Sequence, residues 1–88
     1  MYEIIISPKA IVHLRRLQSN EPTAYEKAVV LIEELKVHPR TGTGHPEPLK
    51  GGVNWSRRIS KKHRLVYSIH DEKIHIDILS AWGHYDDK

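Results

Sequence analysis

"WSRRISKKHRLVYSIHDEKIHIDILSAW", residues 55–82, is where the hydrophobic period of the chain becomes two. Short runs that alternate apolar and polar side chains are the pattern of half-buried strands. Here three such runs, "WSRRIS" (55–60), "RLVYSI" (64–69) and "KIHIDILSAW" (73–82), are separated by the polar connectors "KKH" and "HDEK". The stretch therefore reads as a three-stranded antiparallel meander. With Leu65, Tyr67 and Ile69 turned toward a core, Arg64, Val66 and Ser68 point to the opposite face. With Ile59 inward, the other odd positions of its strand follow it, and Arg58 and Ser60 point outward. Two arginines then share the outer face. The last run resists this count, because Ile74, Ile76 and Ile78 as core residues carry Ser80, Trp82 and His84 inward too unless Gly83 breaks or bulges the strand. Parity does not place His84.

Upstream of the meander the pattern is helical. "YEIIIS" predicts a strand at 2–6. Ser7 as N-cap and Pro8 at the first helical position then open a helix whose apolar stripe is Ala10, Ile11, Leu14 and Leu17. "NEPTA" starts a second helix with Tyr25, Ala28, Val29, Ile32 and Leu35 at helical spacing, and "HPRTGTGHPEP" ends it. The order β, α, α, β, β, β predicts an α+β sandwich in which a two-helix hairpin covers one face of the sheet and leaves the other open. Eighty-eight residues allow one domain, 1–88. Cysteine is absent, which excludes disulfides and thiolate metal sites. No apolar run approaches the roughly 20 residues of a membrane span, and "MYEIIISPKA" lacks the basic segment of a secretion signal, so a cytoplasmic location is expected.

The formal charge of +3 is unevenly placed. Between Pro48 and His70 lie Lys50, Arg57, Arg58, Lys61, Lys62 and Arg64 with no acid, whereas the remainder holds eight basic and eleven acidic residues. Such a cationic end is the footprint of a phosphate-rich partner, or simply a solvated basic hairpin. Just before it, "HPEPLK" sets Glu47 between Pro46 and Pro48, which restrict its backbone; the stretch is a stiff connector or a means of aiming the acid. A carboxylate (Glu47), outward arginines (Arg58, Arg64) and a terminal "GHY" (His84, Tyr85) are the residue types needed to cut RNA without a metal. A base takes the 2′-hydroxyl proton, cations stabilise the phosphorane-like transition state, and an acid protonates the leaving oxygen. His13, His38, His63, His70 and His75 show no ligand spacing with a carboxylate, so no metal site and no cofactor are expected.

Taken in order, "GTGHPEPLK", "WSRRISKKHRLVY" and the closing "GHY" resemble the YoeB/Txe toxins of the RelE/ParE superfamily over essentially the whole chain. The resemblance implies a microbial-ribonuclease-like α+β fold and a ribosome-dependent mRNA interferase that cuts mRNA in the A site. Its implied partners are a cognate antitoxin, the 70S ribosome and mRNA, with no membrane, and a homodimer within a toxin–antitoxin hetero-oligomer is one assembly it allows. Position by position, it makes Glu47 the general base, Arg64 the cation at the scissile phosphate, His84 the general acid and Tyr85 the aromatic that orients substrate. Lys50, Arg58 and Arg57 fall among the phosphate-binding positions. The alternatives are an idle binding module that pairs with an antitoxin in a DNA-binding repressor complex, and a gyrase-directed relative. The full Glu47, Arg64, His84, Tyr85 set disfavours the gyrase-directed relative.

Overall fold

The computed structural model describes residues 1–51 and 53–83. Its elements run β1 (Glu3–Ile6), α1 (Pro8–Asn20), α2 (Pro22–Leu35), β2 (Glu47–Pro48), β3 (Asn54–Arg58), β4 (Arg64–His70), a 3-10 turn (Asp71–Lys73) and β5 (His75–Ser80). The sheet order is β1-β5-β4-β3-β2, with β1 parallel to β5 and every other pair antiparallel. The expected meander is β3, β4 and β5. It gains a strand on each side: β1 beside β5, and on the other edge β2, the "PEP" stretch read above as a connector. Proline is tolerated there because an edge strand has one row of unpaired backbone groups. Leu49 N donates to Asn54 O at 2.8 Å and closes the β2–β3 hairpin.

α1 begins as its sequence dictates. Ser7 Oγ accepts from Ala10 N at 3.1 Å, with Pro8 in the first turn. The core joins Ala10 and Leu17 of α1 and Ala24, Ala28, Leu31 and Leu35 of α2 to Leu65, Tyr67, Ile76 and Ile78 of the sheet. Both predicted stripes hold except at one position each, with Leu14, Tyr25 and Ile32 packed against this core. Ile11 and Val29 lie 39% and 40% exposed, while Leu31, which the stripe omitted, is fully buried. The buried face of α2 follows Ala24, Ala28, Leu31 and Leu35.

β4 keeps the expected parity, with Leu65, Tyr67 and Ile69 toward the helices. The other face is not bare, since Ser56, Val66 and Ser68 are buried on it; short side chains there lie beside longer ones such as Arg64 and His70. In β5 the break comes earlier than Gly83. Tyr67 pairs with Ile78 and Val66 with Ser80, so Leu79 is the extra residue of a bulge. The bulge puts Ser80 on the outer face and Ala81 in the core. Ser7 Oγ donates to Leu79 O at 3.3 Å, tying the bulge to the start of α1. Ile74, counted as core above, is instead 55% exposed at φ 52°, closing the 3-10 turn.

Candidate active site

Paired residues in an antiparallel ladder share a face, so Glu47, Ser56, Val66 and Ser80 form one row across the outer face, and Arg58 with Arg64 the neighbouring row. Arg64 reaches diagonally between the rows. Its Nη1 donates to Glu47 Oε1 at 2.9 Å and to Ser56 Oγ at 3.4 Å. The Arg64 side chain is 19% exposed and that of Glu47 50%, so the pair is open to solvent on the carboxylate side. A guanidinium has five N–H donors, and among the described residues those on Nη2 and Nε of Arg64 meet no protein acceptor. A phosphate oxygen fits those donors while Nη1 keeps the carboxylate in place.

Lys50 and Arg58 are exposed and make no ion pair among the described residues. Arg58 also lines an open cleft of about 330 Å³ with Lys27, Gly44, His45, Ile59, Ser60 and Lys61, which brings in three cations and no carboxylate. Sequence reasoning missed Lys27, which lies in α2, far along the chain from the basic stretch. A larger hollow of about 410 Å³ lies between the start of α2 and Ile59, away from Glu47 and Arg64. A strand of nucleic acid needs a groove rather than an enclosed pocket, so the outer face and the basic cleft are the relevant surfaces.

Arg57 is a correction. Its side chain is fully buried, as the parity of Ile59 implies, and is unavailable to a phosphate. Nε donates to Tyr67 Oη at 3.3 Å. Nη1 donates to Glu34 Oε1 at 2.5 Å and Thr43 O at 3.2 Å, and Nη2 to Thr41 O at 2.8 Å and to His38 O. All five donors are thus used, and Tyr67 Oη donates its own hydrogen bond to Pro39 O at 2.9 Å. Glu34 also accepts from Thr43 N and Oγ1, at 2.6 and 2.9 Å. The Thr43 backbone bond and the arginine together hold its carboxyl below the usual range against partial burial. Gly42 is required at φ 119°, since a Cβ there would meet Glu34 Oε1 at 2.0 Å. This buried knot fixes residues 38–43, the segment that delivers the chain to β2 and Glu47.

His84 and Tyr85 lie outside the described residues. The segment leading to them is held by two imidazoles. Ala81 N donates to His13 Nδ1 at 3.0 Å and Gly83 N to His63 Nδ1 at 2.9 Å, while Gly83 O accepts from Arg64 N at 3.0 Å. His63 is buried, and with Nδ1 accepting, its proton sits on Nε2, 2.7 Å from Glu21 Oε2. That hydrogen bond is the main cause of the lowered Glu21 pKa. Burial, with Lys9 and Arg16 nearby, lowers the pKa of His13 and keeps it a neutral acceptor. Trp82 packs on His63, centroids 4.3 Å apart, and lies under the Arg16 guanidinium at 4.9 Å, so it anchors the segment rather than standing free as a base-stacking platform. The spacing of His13, Arg16, Glu21 and His63 gives no sign of this arrangement, which exists only once α1, α2 and the β3–β4 turn meet.

Three of the residues that show no ligand spacing along the sequence are nevertheless neighbours in the fold. His70, His75 and Asp77 come together at the β4–β5 turn, the one such group of three among the described residues. It lies four to six residues along β4 from Arg64, about 13–20 Å at strand rise, and none of the three bonds to Glu47 or Arg64.

A family model for the YoeB-like toxin of bacterial type II toxin-antitoxin systems matches residues 7–85. Toxin YoeB of Synechocystis sp. is 40% identical over 70 residues, covering 77% of this chain and 79% of the relative. Among solved structures, the YoeB/ParE toxin from Agrobacterium tumefaciens is similar with a TM-score of 0.87 at 31% identity, over 97% of this chain and 100% of that one. The YoeB-YefM complex from Staphylococcus aureus is similar with a TM-score of 0.80 at 34% identity, over 97% and 99%.

Proposed function

The chain belongs to the YoeB-like toxins of bacterial type II toxin–antitoxin systems, and from that premise we propose that it is an endoribonuclease that enters the 70S ribosome and cuts mRNA in the A site without a metal. The observation that carries this reading is the Glu47–Arg64 pair at 2.9 Å on the outer face, with guanidinium donors to spare. Glu47 takes the proton of the ribose 2′-hydroxyl, and the freed oxygen attacks the adjacent phosphorus. Arg64 stabilises the charge that builds on the non-bridging oxygens, and His84 protonates the departing 5′-oxygen. The products are a 2′,3′-cyclic phosphate and a 5′-hydroxyl. Tyr85 orients the nucleotide, and Lys50 and Arg58 hold flanking phosphates. The chain leaves the described residues at Gly83, one residue before His84, at a point bonded to the backbone of Arg64; that anchorage supports acid and cation acting on one phosphate.

Residues 1–88 act as one toxin domain in the cytoplasm, where ribosomes are, and a cognate antitoxin holds the toxin inactive. The experiment is to add antitoxin-free protein to ribosomes stalled on a defined mRNA and analyse the cut ends. A 5′-hydroxyl and a cyclic phosphate at the A-site codon are expected. A 5′-phosphate with a 3′-hydroxyl would require an activated water and overturn the mechanism. Tight ribosome binding without any cut would make the protein a binding module.

A further inference from the structure

The β4–β5 hairpin carries three side chains that the proposed reaction does not use. His70 and His75 stand directly opposite each other in the ladder, and Asp77 pairs with Ser68 two residues further on, so all three project from the same outer face. The four residues between the histidines, a 3-10 turn closed by Ile74 in the left-handed region, bring the strands back in this register. His70 Nε2 lies 3.2 Å from Asp77 Oδ2, and His75 Nε2 lies 3.4 Å from Asp77 Oδ1. The imidazole centroids are 4.6 Å apart, and three ligand atoms, one from each residue, lie within 4.8 Å of one another.

Those separations are close to what a small divalent cation demands. With bonds of about 2.0–2.2 Å to nitrogen and oxygen, two ligands on a tetrahedron are about 3.3–3.5 Å apart. Each imidazole already stands at about that distance from a carboxylate oxygen, His70 from Oδ2 and His75 from Oδ1 of Asp77, and a turn of the rings and the carboxylate brings one atom of each residue onto a common ion. The side chains are 33%, 18% and 33% exposed in the order His70, His75, Asp77, so an ion has an entry path while neighbouring strands limit the rotamers. Ser68 Oγ, 3.0 Å from His70 Nε2, is the one competing partner among the described residues, and a hydroxyl turns away freely. Two imidazoles with one carboxylate select zinc or a similar borderline cation over magnesium or calcium, which prefer all-oxygen shells.

The geometry points to a zinc site formed by His70, His75 and Asp77, with a fourth position open to water, that clamps the β4–β5 hairpin. A domain this small gains from such a staple, since an ion bound only by the folded state stabilises it by mass action. At about 13–20 Å from Arg64 along β4 and with no bond from its ligands to Glu47 or Arg64, the ion would not take part in the cut.

The test uses the full chain stripped of metal. Zinc titrated at pH 7.5 is expected to bind at one ion per chain by calorimetry. At zinc a hundredfold above its Kd, Tm should rise by roughly 10–20 °C. Cobalt in place of zinc should show the visible absorption of a four-coordinate site. His75→Ala should abolish all three signals, and Asp77→Asn, which preserves shape, should weaken binding at least tenfold if the alanine variant fails to fold. His84→Gln should bind zinc like the parent, and RNA cleavage by the parent should be the same with and without zinc at a temperature where both forms are folded. Binding that survives in both cluster variants, or no binding below millimolar zinc, overturns the site. A gain in stability on acidification with no zinc bound at neutral pH would make the cluster a carboxylate shared by protonated imidazoles, and would equally overturn it.

Discussion

Two adjacent arginines have opposite fates because a strand turns successive side chains to opposite faces. Arg57 is buried with every donor used, and Arg58 is exposed with no ion pair among the described residues. Removing one partner from a buried ion pair leaves the other uncompensated, so Arg57→Ala should lower stability by about 3–5 kcal/mol in denaturant titration. Loss near zero would contradict the knot around Glu34. Arg58→Ala should leave the denaturation midpoint almost unchanged. It should also reduce the slope of log affinity against log salt for ribosome binding by about one, as expected for one lost phosphate contact. Counting cations along the sequence placed both arginines in one patch, although the parity of Ile59 already turned Arg57 inward. Charge shows where a strand is basic; only its pairing shows which cations water can reach.

The segment after β5 hangs on imidazole acceptors from two other parts of the chain, and through His13 this makes it sensitive to acid. Burial lowers the pKa of His13 in the folded state, whereas in the unfolded chain it titrates near its ordinary value of about 6.5. Above that pH neither state carries the proton and the contribution to stability is complete. As pH falls through 6.5 the unfolded chain takes up a proton that the folded chain refuses, and stability drops until the lower folded value is reached. Glu21 and Glu34 have lowered pKa values, so what they contribute is lost only in more acidic solution, as pH falls from their ordinary value near 4.5. His13→Asn retains an acceptor for Ala81 N but cannot charge. Its Tm should therefore fall less than the parent's between pH 7.5 and 5.5, and parallel curves would contradict the assignment. Much of the element pattern was legible: Ser7 and Pro8 opened α1, and alternation found β3, β4 and β5. β2 was not, because a two-residue strand has no period and exists only through its pairing with Ser56 and Trp55. The bulge at Leu79 also escaped, since it is stabilised by Ser7 from the other end of the chain.

At the scale of the molecule, the helix pair covers one face of the sheet and the other carries Glu47, Arg58 and Arg64, with a basic cleft at its side. The family pattern in the sequence made the candidate residues legible, while the supports built from His13, His63, Glu21 and the Arg57 knot arise only from tertiary packing. An acidic antitoxin segment that inhibits by masking should cover this cationic face or the helix hairpin beside it. Hydrogen exchange of the complex against the free toxin should then show new protection on β3 and β4 or on the helices, and protection elsewhere would reject masking. The central claim is that Glu47 moves a proton rather than merely pairing with Arg64. Its most direct test is the single-turnover rate of mRNA cleavage on programmed ribosomes by the parent and by Glu47→Gln, which keeps the shape and the acceptor for Arg64. The rate should fall by about 10² to 10⁴ with ribosome affinity nearly unchanged; a folded variant that cuts within a few-fold of the parent would contradict it.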